Sequence, residues 1–228
     1  MGFLLNDVIV LAKNAEHLVG RDHFYSLGKP TSHVNSKDLK FVLSKYNLKK
    51  FNISEECLNK AMLSDLRKLK KKNIISFEYF TKLLNFKKFS SIDIDPKEEP
   101  TFCVDVTKKN VNNDFISKAD MIYDTGSLGY TNDPIAGLNF LISLLKVNGI
   151  IVHQSPHNGF IKTGYFQFNI QFFLDYYNKN NLKVIFTCFG FFSSWLKKIC
   201  MGKWKIDIDK NPNLNRIKKE KNSLYFVA

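Results

Sequence analysis

The sequence predicts an α/β domain with a mainly parallel sheet and helices on both faces. Three observations predict it. Strand and helix patterns alternate through most of the chain, and alternation implies parallel strands joined by right-handed crossovers. Three strand-like stretches, Phe89–Asp93, Thr101–Asp105 and Ala119–Asp124, each end in an aspartate. Ile150, Ile151 and Val152 form a continuous apolar run, the pattern of a strand buried on both faces.

The elements follow in order. Asn6 or Asp7 caps a helix over 6–18, with Ile9, Ala12, Ala15 and Leu18 on one stripe. Residues 23–28 read as a short strand ending at Gly28, and residues 29–33 as a turn. Ser36 caps a helix carrying Leu39, Val42, Leu43 and Tyr46. Ser54 caps another over 55–70, which ends in the lysine run Lys68–Lys72, a solvated helix end. Ser76 caps a third, with Phe77, Phe80, Leu83 and Leu84 inward. After the three aspartate-ended strands, Asp133 followed by Pro134 marks a helix start. Ile135, Leu138, Leu141, Ile142 and Leu145 make its stripe, and Gly149 stops it. A strand over 150–154, a Pro/Asn/Gly loop, a helix over 170–180 and a strand over 183–191 come next. Residues 193–221 form an insertion before a last strand at 223–228, expected to be antiparallel because no crossover helix precedes it. The connection from Asp93 to Thr101 is too short for a helical crossover. Either an extended loop makes it or one of the two strands is very short. The 228 residues suit one domain, with residues 1–20 as its N-terminal helix and no interdomain linker.

Composition narrows the function classes. The net charge is +13, yet Arg21, Arg67 and Arg216 are the only arginines. Arginine is the residue that reads phosphates and bases through two bonds at once, so no specific nucleic acid is expected. Cys57, Cys103, Cys188 and Cys200 are scattered in or beside apolar stretches, without metal-ligand spacing, and read as buried thiols. No metal site is expected. The start of the chain lacks a secretory pattern, and the longest apolar run, Val184–Leu196, is too interrupted to span a bilayer, so a cytoplasmic protein is expected. In the basic insertion, Phe191, Phe192, Trp195 and Trp204 interleave with Lys197, Lys198, Lys203 and Lys205. The aromatic residues pack on the sheet with the lysines solvated, or residues 191–205 make weak peripheral contact with an anionic membrane.

In an open parallel sheet, ligands bind beyond the carboxyl ends of the strands. Gly28, Asp93, Asp105 and Asp124 therefore belong to one site, however far apart in sequence. A carboxylate at the end of the second strand can accept both ribose hydroxyls, and Asp93 is placed for that. Asp105 lies where an adenine amino group would come. Strand-end aspartates also cap the turns that follow them, but three together suit a nucleoside-type ligand.

Three segments carry a resemblance. They are Ser26–Pro30, Ser91–Asp95, and the stretch from Asp120–Leu128 through Ser155–Phe160 to Gly164–Phe168. Over residues 20–190 the chain resembles one group of bacterial class I methyltransferase-like proteins. The resemblance implies a Rossmann-like fold, S-adenosylmethionine as cofactor, and methyl transfer to a small-molecule or glycan-like acceptor. The departures are specific. Only Gly28 remains of the usual glycine-rich loop, followed by Lys29 and Pro30. Where the group continues Thr-Leu-Glu-His, this chain reads Ser127-Leu128-Gly129-Tyr130, and Thr163 replaces a histidine. These substitutions also admit a protein that binds without turnover. His157 and Tyr130 are the catalytic candidates, with His33 and His153 as other imidazoles. His153 sits inside a strand and reads as a core histidine. Asn158, Tyr165 and Gln167 are the acceptor-side candidates.

Overall fold

The computed structural model describes residues 2–18, 21–45, 74–108, 115–160, 163–192, 208–209 and 221–228. The expected helix over 55–70 with its lysine run, the thiols Cys57 and Cys200, and nearly all of the insertion at 193–221 lie outside these residues.

The helices are α1 (Leu5–Lys13), α2 (Ala15–Leu18), α3 (Ser36–Lys45), α4 (Phe77–Leu83), α5 (Pro134–Leu144) and α6 (Ile170–Lys179). The strands are β1 (His23–Leu27), β2 (Lys88–Asp93), β3 (Phe102–Cys103), β4 (Ala119–Asp124), β5 (Leu145–Asn158), β6 (Phe186–Phe192), β7 (Ile208–Asp209) and β8 (Lys221–Val227). They form one sheet in the order β3-β2-β1-β4-β5-β8-β6-β7. The first five are parallel to one another, and β8 runs antiparallel between β5 and β6. This is the Rossmann-like class I methyltransferase fold, with the expected antiparallel last strand.

The sheet has a core on each face, so its inner strands carry apolar side chains on both sides. On one face Val8 and Ile9 of α1, Leu39 and Val42 of α3, and Phe77 and Phe80 of α4 pack with Phe24, Met121, Tyr123 and Val152. On the other, Leu138 and Leu141 of α5 and Phe173 and Tyr177 of α6 pack with Tyr25, Ile122, Ile151 and Phe226.

Several boundaries differ from the sequence reading, each for a local reason. Leu4, not Asn6 or Asp7, is the N-cap of α1; Asp7 lies at the third helical position and accepts the Leu4 amide. The helix breaks at Asn14, whose side-chain amide donates to the Val10 carbonyl at 2.8 Å. Asn35 rather than Ser36 caps α3, its Oδ1 accepting the Asp38 amide at 2.8 Å. Ser76 and Asp133 cap α4 and α5 as expected. Ile135 is exposed, and the buried side of α5 is Leu138, Phe140, Leu141 and Leu144. Gly149 does not stop α5. The helix ends at Leu144 and β5 begins at once, with a register shift between the pairs Ala119–Leu145 and Met121–Ile150. Gly149 closes this bulge: a β-carbon there would lie 2.8 Å from the Lys146 carbonyl oxygen. Cys103 is exposed, contrary to expectation, whereas Cys188 is buried.

Candidate functional site

The parallel strands β1, β2 and β3 end at one edge of the sheet, beside the turn that follows β4. Together they enclose a cleft of about 530 Å³. Gly28, Asp93, Asp105, Ser127, Tyr130 and Tyr165 are among the residues that line it.

Its floor is the end of β1. Gly28 has φ +78°, a backbone conformation that side chains disfavour. Its amide donates to the Ile92 carbonyl at 2.7 Å, tying the turn to β2. A β-carbon at this position would come within 2.8 Å of Ser127 Oγ and 3.8 Å of Asp93 Oδ2. The missing side chain thus leaves bare backbone between a hydroxyl and a carboxylate. Ser127 Oγ in turn donates to the Leu27 carbonyl at 3.0 Å.

The second wall is acidic. Asp93 Oδ1 accepts the Asp95 amide at 3.0 Å, and its other oxygen is the one nearest Gly28. The short connection to β3 is a loop with a 3-10 turn at Pro96–Glu98, and β3 itself is only two residues long. Ser91 and Thr101 exchange side-chain-to-backbone bonds of 3.0 and 3.1 Å just before β3 pairs with β2. Asp105 follows β3. Its Oδ1 accepts the Thr107 hydroxyl at 2.7 Å and the Thr107 amide at 3.0 Å. Those bonds, the hydroxyl's first, hold its carboxyl below the ordinary aspartate range.

The third wall is aromatic. Ser127–Tyr130 is a short 3-10 turn, and the Gly129 carbonyl accepts the amides of Tyr165 at 2.6 Å and Phe166 at 3.0 Å. The two segments approach so closely because two glycines face each other. A β-carbon on Gly129 would lie 2.9 Å from the Phe166 oxygen, and one on Gly164 would lie 2.8 Å from the Gly129 oxygen. Tyr130 and Tyr165 remain 48% and 76% exposed at the mouth.

The structure brings Gly28, Asp93, Asp105, Tyr130 and Tyr165 together and leaves the other expected site residues elsewhere. Asp124 is fully buried behind the cleft wall. Its Oδ1 accepts the amides of Gly126 and Ser127 at 3.0 and 2.8 Å, and its Oδ2 lies 2.9 Å from His153 Nδ1. His153 is a fully buried core histidine, as its place inside a strand suggested. The His157 ring meets the ring of Phe189 edge to face at 5.2 Å. Gln167 donates to the Phe160 carbonyl at 3.3 Å, and Asn158 closes β5. None of His157, Asn158 and Gln167 lines the cleft. Ser127, in the stretch after β4 that strand-end reasoning assigns to the site, lines it, and so do Thr131 and Asn132, which sequence reasoning missed because they lie just beyond that stretch. Among the described residues, no three His, Cys, Asp or Glu side chains are grouped so as to hold a metal ion, and no helix is long and apolar enough to cross a membrane.

No family model matches this chain. No curated protein matches it either. Solved structures do match in overall fold. One is a SAM-dependent methyltransferase from Archaeoglobus fulgidus, 13% identical, covering 97% of this chain and 91% of that one with a TM-score of 0.47. Another is an S-adenosylmethionine-dependent methyltransferase from Clostridium acetobutylicum, 11% identical, covering 98% and 89% with a TM-score of 0.48. A SAM-dependent methyltransferase from Geobacter sulfurreducens, solved with S-adenosyl-L-homocysteine, is 10% identical over 97% and 89% with a TM-score of 0.44. Strand order and direction carry the fold assignment.

Proposed function

We propose that this chain is an S-adenosylmethionine-dependent methyltransferase acting on a small-molecule or glycan-like acceptor. One observation carries the reading: Gly28 leaves open backbone at the end of β1, facing Asp93 at the end of β2. That pairing suits a nucleoside whose ribose hydroxyls donate to the carboxylate while its adjoining chain lies against the glycine. Asp105 and the amides near it are the candidates for the base. The cofactor, when bound, supplies an electrophilic methyl group on a sulfonium.

Methyl transfer asks little covalent chemistry of the protein. Alignment and exclusion of water contribute most. Tyr130 and Tyr165 are the residues to provide both at the cleft mouth, with Thr131 and Asn132 as neutral hydrogen-bonding groups beside them. Exposed tyrosines flanked by uncharged polar side chains suit the apolar face and hydroxyl edge of a sugar-like acceptor. His157 takes no part in this reading, because it packs on Phe189 outside the cleft.

A second reading, a binding protein without turnover, is favoured by Gly129. The resembling group carries an acid there, and the contact with Phe166 leaves no room for any side chain. Calorimetry with S-adenosylhomocysteine tests both. Stoichiometric binding is expected, and its absence would overturn the cofactor reading. Binding followed by transfer of a labelled methyl to an acceptor supports the enzyme; binding with no labelled product across sugars and small metabolites favours the second reading.

A further inference from the structure

A hydrogen-bonded chain of buried side chains runs along one face of the sheet, from α6 across β5 and β4 to the floor of the cleft. It begins on α6, where the Tyr177 hydroxyl meets His153 Nε2. His153, on β5, places Nδ1 2.9 Å from Asp124 Oδ2 on β4. Asp124 Oδ1 accepts the amides of Gly126 and Ser127, and Ser127 Oγ reaches the Leu27 carbonyl on β1 at 3.0 Å. Tyr177, His153 and Asp124 are all fully buried.

We infer that Tyr177, His153 and Asp124 are positioning residues, which fix the Ser127–Tyr130 turn and through it the width of the cleft between Gly28 and Tyr130. The inference rests on reading this cleft as the ligand site. Hydrogen-bonding chemistry assigns the polarity of the chain. Asp124 receives two backbone amides on one oxygen, and its other oxygen, as a carboxylate oxygen, accepts from His153 Nδ1. In the neutral imidazole Nε2 is then the acceptor for the Tyr177 hydroxyl. Burial pushes the Tyr177 phenol well up, so it keeps the proton that it donates. Gly126, at φ +88°, has no side chain to hold the turn, and Asp124 supplies the bonds that do. Rings fix the frame: His153 stacks on Phe173 at 4.7 Å, and Tyr177 stacks on Phe226 at 5.4 Å.

Three variants test this in the full-length chain. Tyr177→Phe removes one hydroxyl and keeps the ring packing. His153→Leu removes the donor to Asp124. His153→Asn returns an N–H near the Nδ1 position. Amide hydrogen exchange by NMR, with no ligand present, reads the turn directly. In Tyr177→Phe, Gly126 and Ser127 are expected to exchange about fivefold faster, the fold-change of one lost hydrogen bond. Phe24 and Tyr25 in β1 should stay at the wild-type rate. His153→Leu should show a larger change at the turn, and His153→Asn should recover most of it. Affinity for S-adenosylhomocysteine is expected to follow the same order. Equal acceleration at β1 and at the turn, or none at the turn, would overturn the inference even if the variants bind less well. A wild-type protein that fails to bind S-adenosylhomocysteine overturns the cofactor reading instead, and the exchange rates still decide the positioning role.

Discussion

At the scale of the residue, aspartates in similar strand-end positions have quite different work. Asp93 turns one oxygen toward the cleft, whereas Asp124, at the end of β4 on the other side of β1, is buried and spent on the turn that follows. Asp93→Ala is expected to weaken S-adenosylhomocysteine binding by about 1–3 kcal/mol, the usual loss for a charged hydrogen-bond partner. Unchanged affinity in calorimetry would place the ribose elsewhere. Asp7 is a third case. It lies in the first turn of α1, fully buried, accepts the Tyr123 hydroxyl at 2.7 Å, and has its carboxyl pushed from 3.8 to about 7, chiefly by burial. The folded state therefore holds a proton that the unfolded chain releases near pH 4. Its contribution is full below that pH, declines as pH rises toward about 7, and is level above. Asp7→Asn should flatten the fall in melting temperature across that interval relative to wild type. Parallel melting curves from pH 4 to 8 would show that Asp7 does not cause it.

At the scale of the element, irregular pieces build the site and regular ones carry it. The wall of the cleft is two short segments clamped backbone to backbone, the turn at 127–130 and the stretch around Tyr165. Their spacing depends on glycine at both contacts. Gly164 has φ +72° and faces the Gly129 oxygen, so Gly164→Ala combines backbone strain with a clash. A stability loss of about 1–3 kcal/mol is expected in denaturant unfolding, with the Tyr165 amide losing protection from exchange. A variant as stable as wild type, with that amide still protected, would mean that the clamp yields without cost. The bulge at the start of β5 follows similar logic. Asn148, at φ +64°, and Gly149 turn the chain back, and Arg21 Nη1 holds the bulge through the carbonyls of Asn148 at 2.7 Å and Asp120 at 3.0 Å.

At the scale of the whole molecule, charge and site are unevenly arranged. The chain carries +13 overall, yet the segment that forms the acidic wall holds Asp93, Asp95, Glu98, Glu99 and Asp105 against Lys97 alone. A basic surface attracts phosphate without reading sequence, so any nucleic-acid binding should be weak, indifferent to sequence and steeply reduced by salt. A sequence-selective complex surviving in about 0.15 M salt, where screening acts within roughly 8 Å, would contradict this. By itself the sequence determined the alternation of elements, the caps at Ser76 and Asp133, and the placing of Gly28, Asp93 and Asp105 at one edge of the sheet. Those features are written in local patterns, in apolar periodicity and in residues whose backbone preferences act over a few positions. Only the tertiary structure decided that Asp124 serves the wall and not the cleft, that His157 faces Phe189, and that Gly129 and Gly164 touch. Each depends on which side chain of a distant segment arrives opposite, and no pattern within one segment encodes its partner in another.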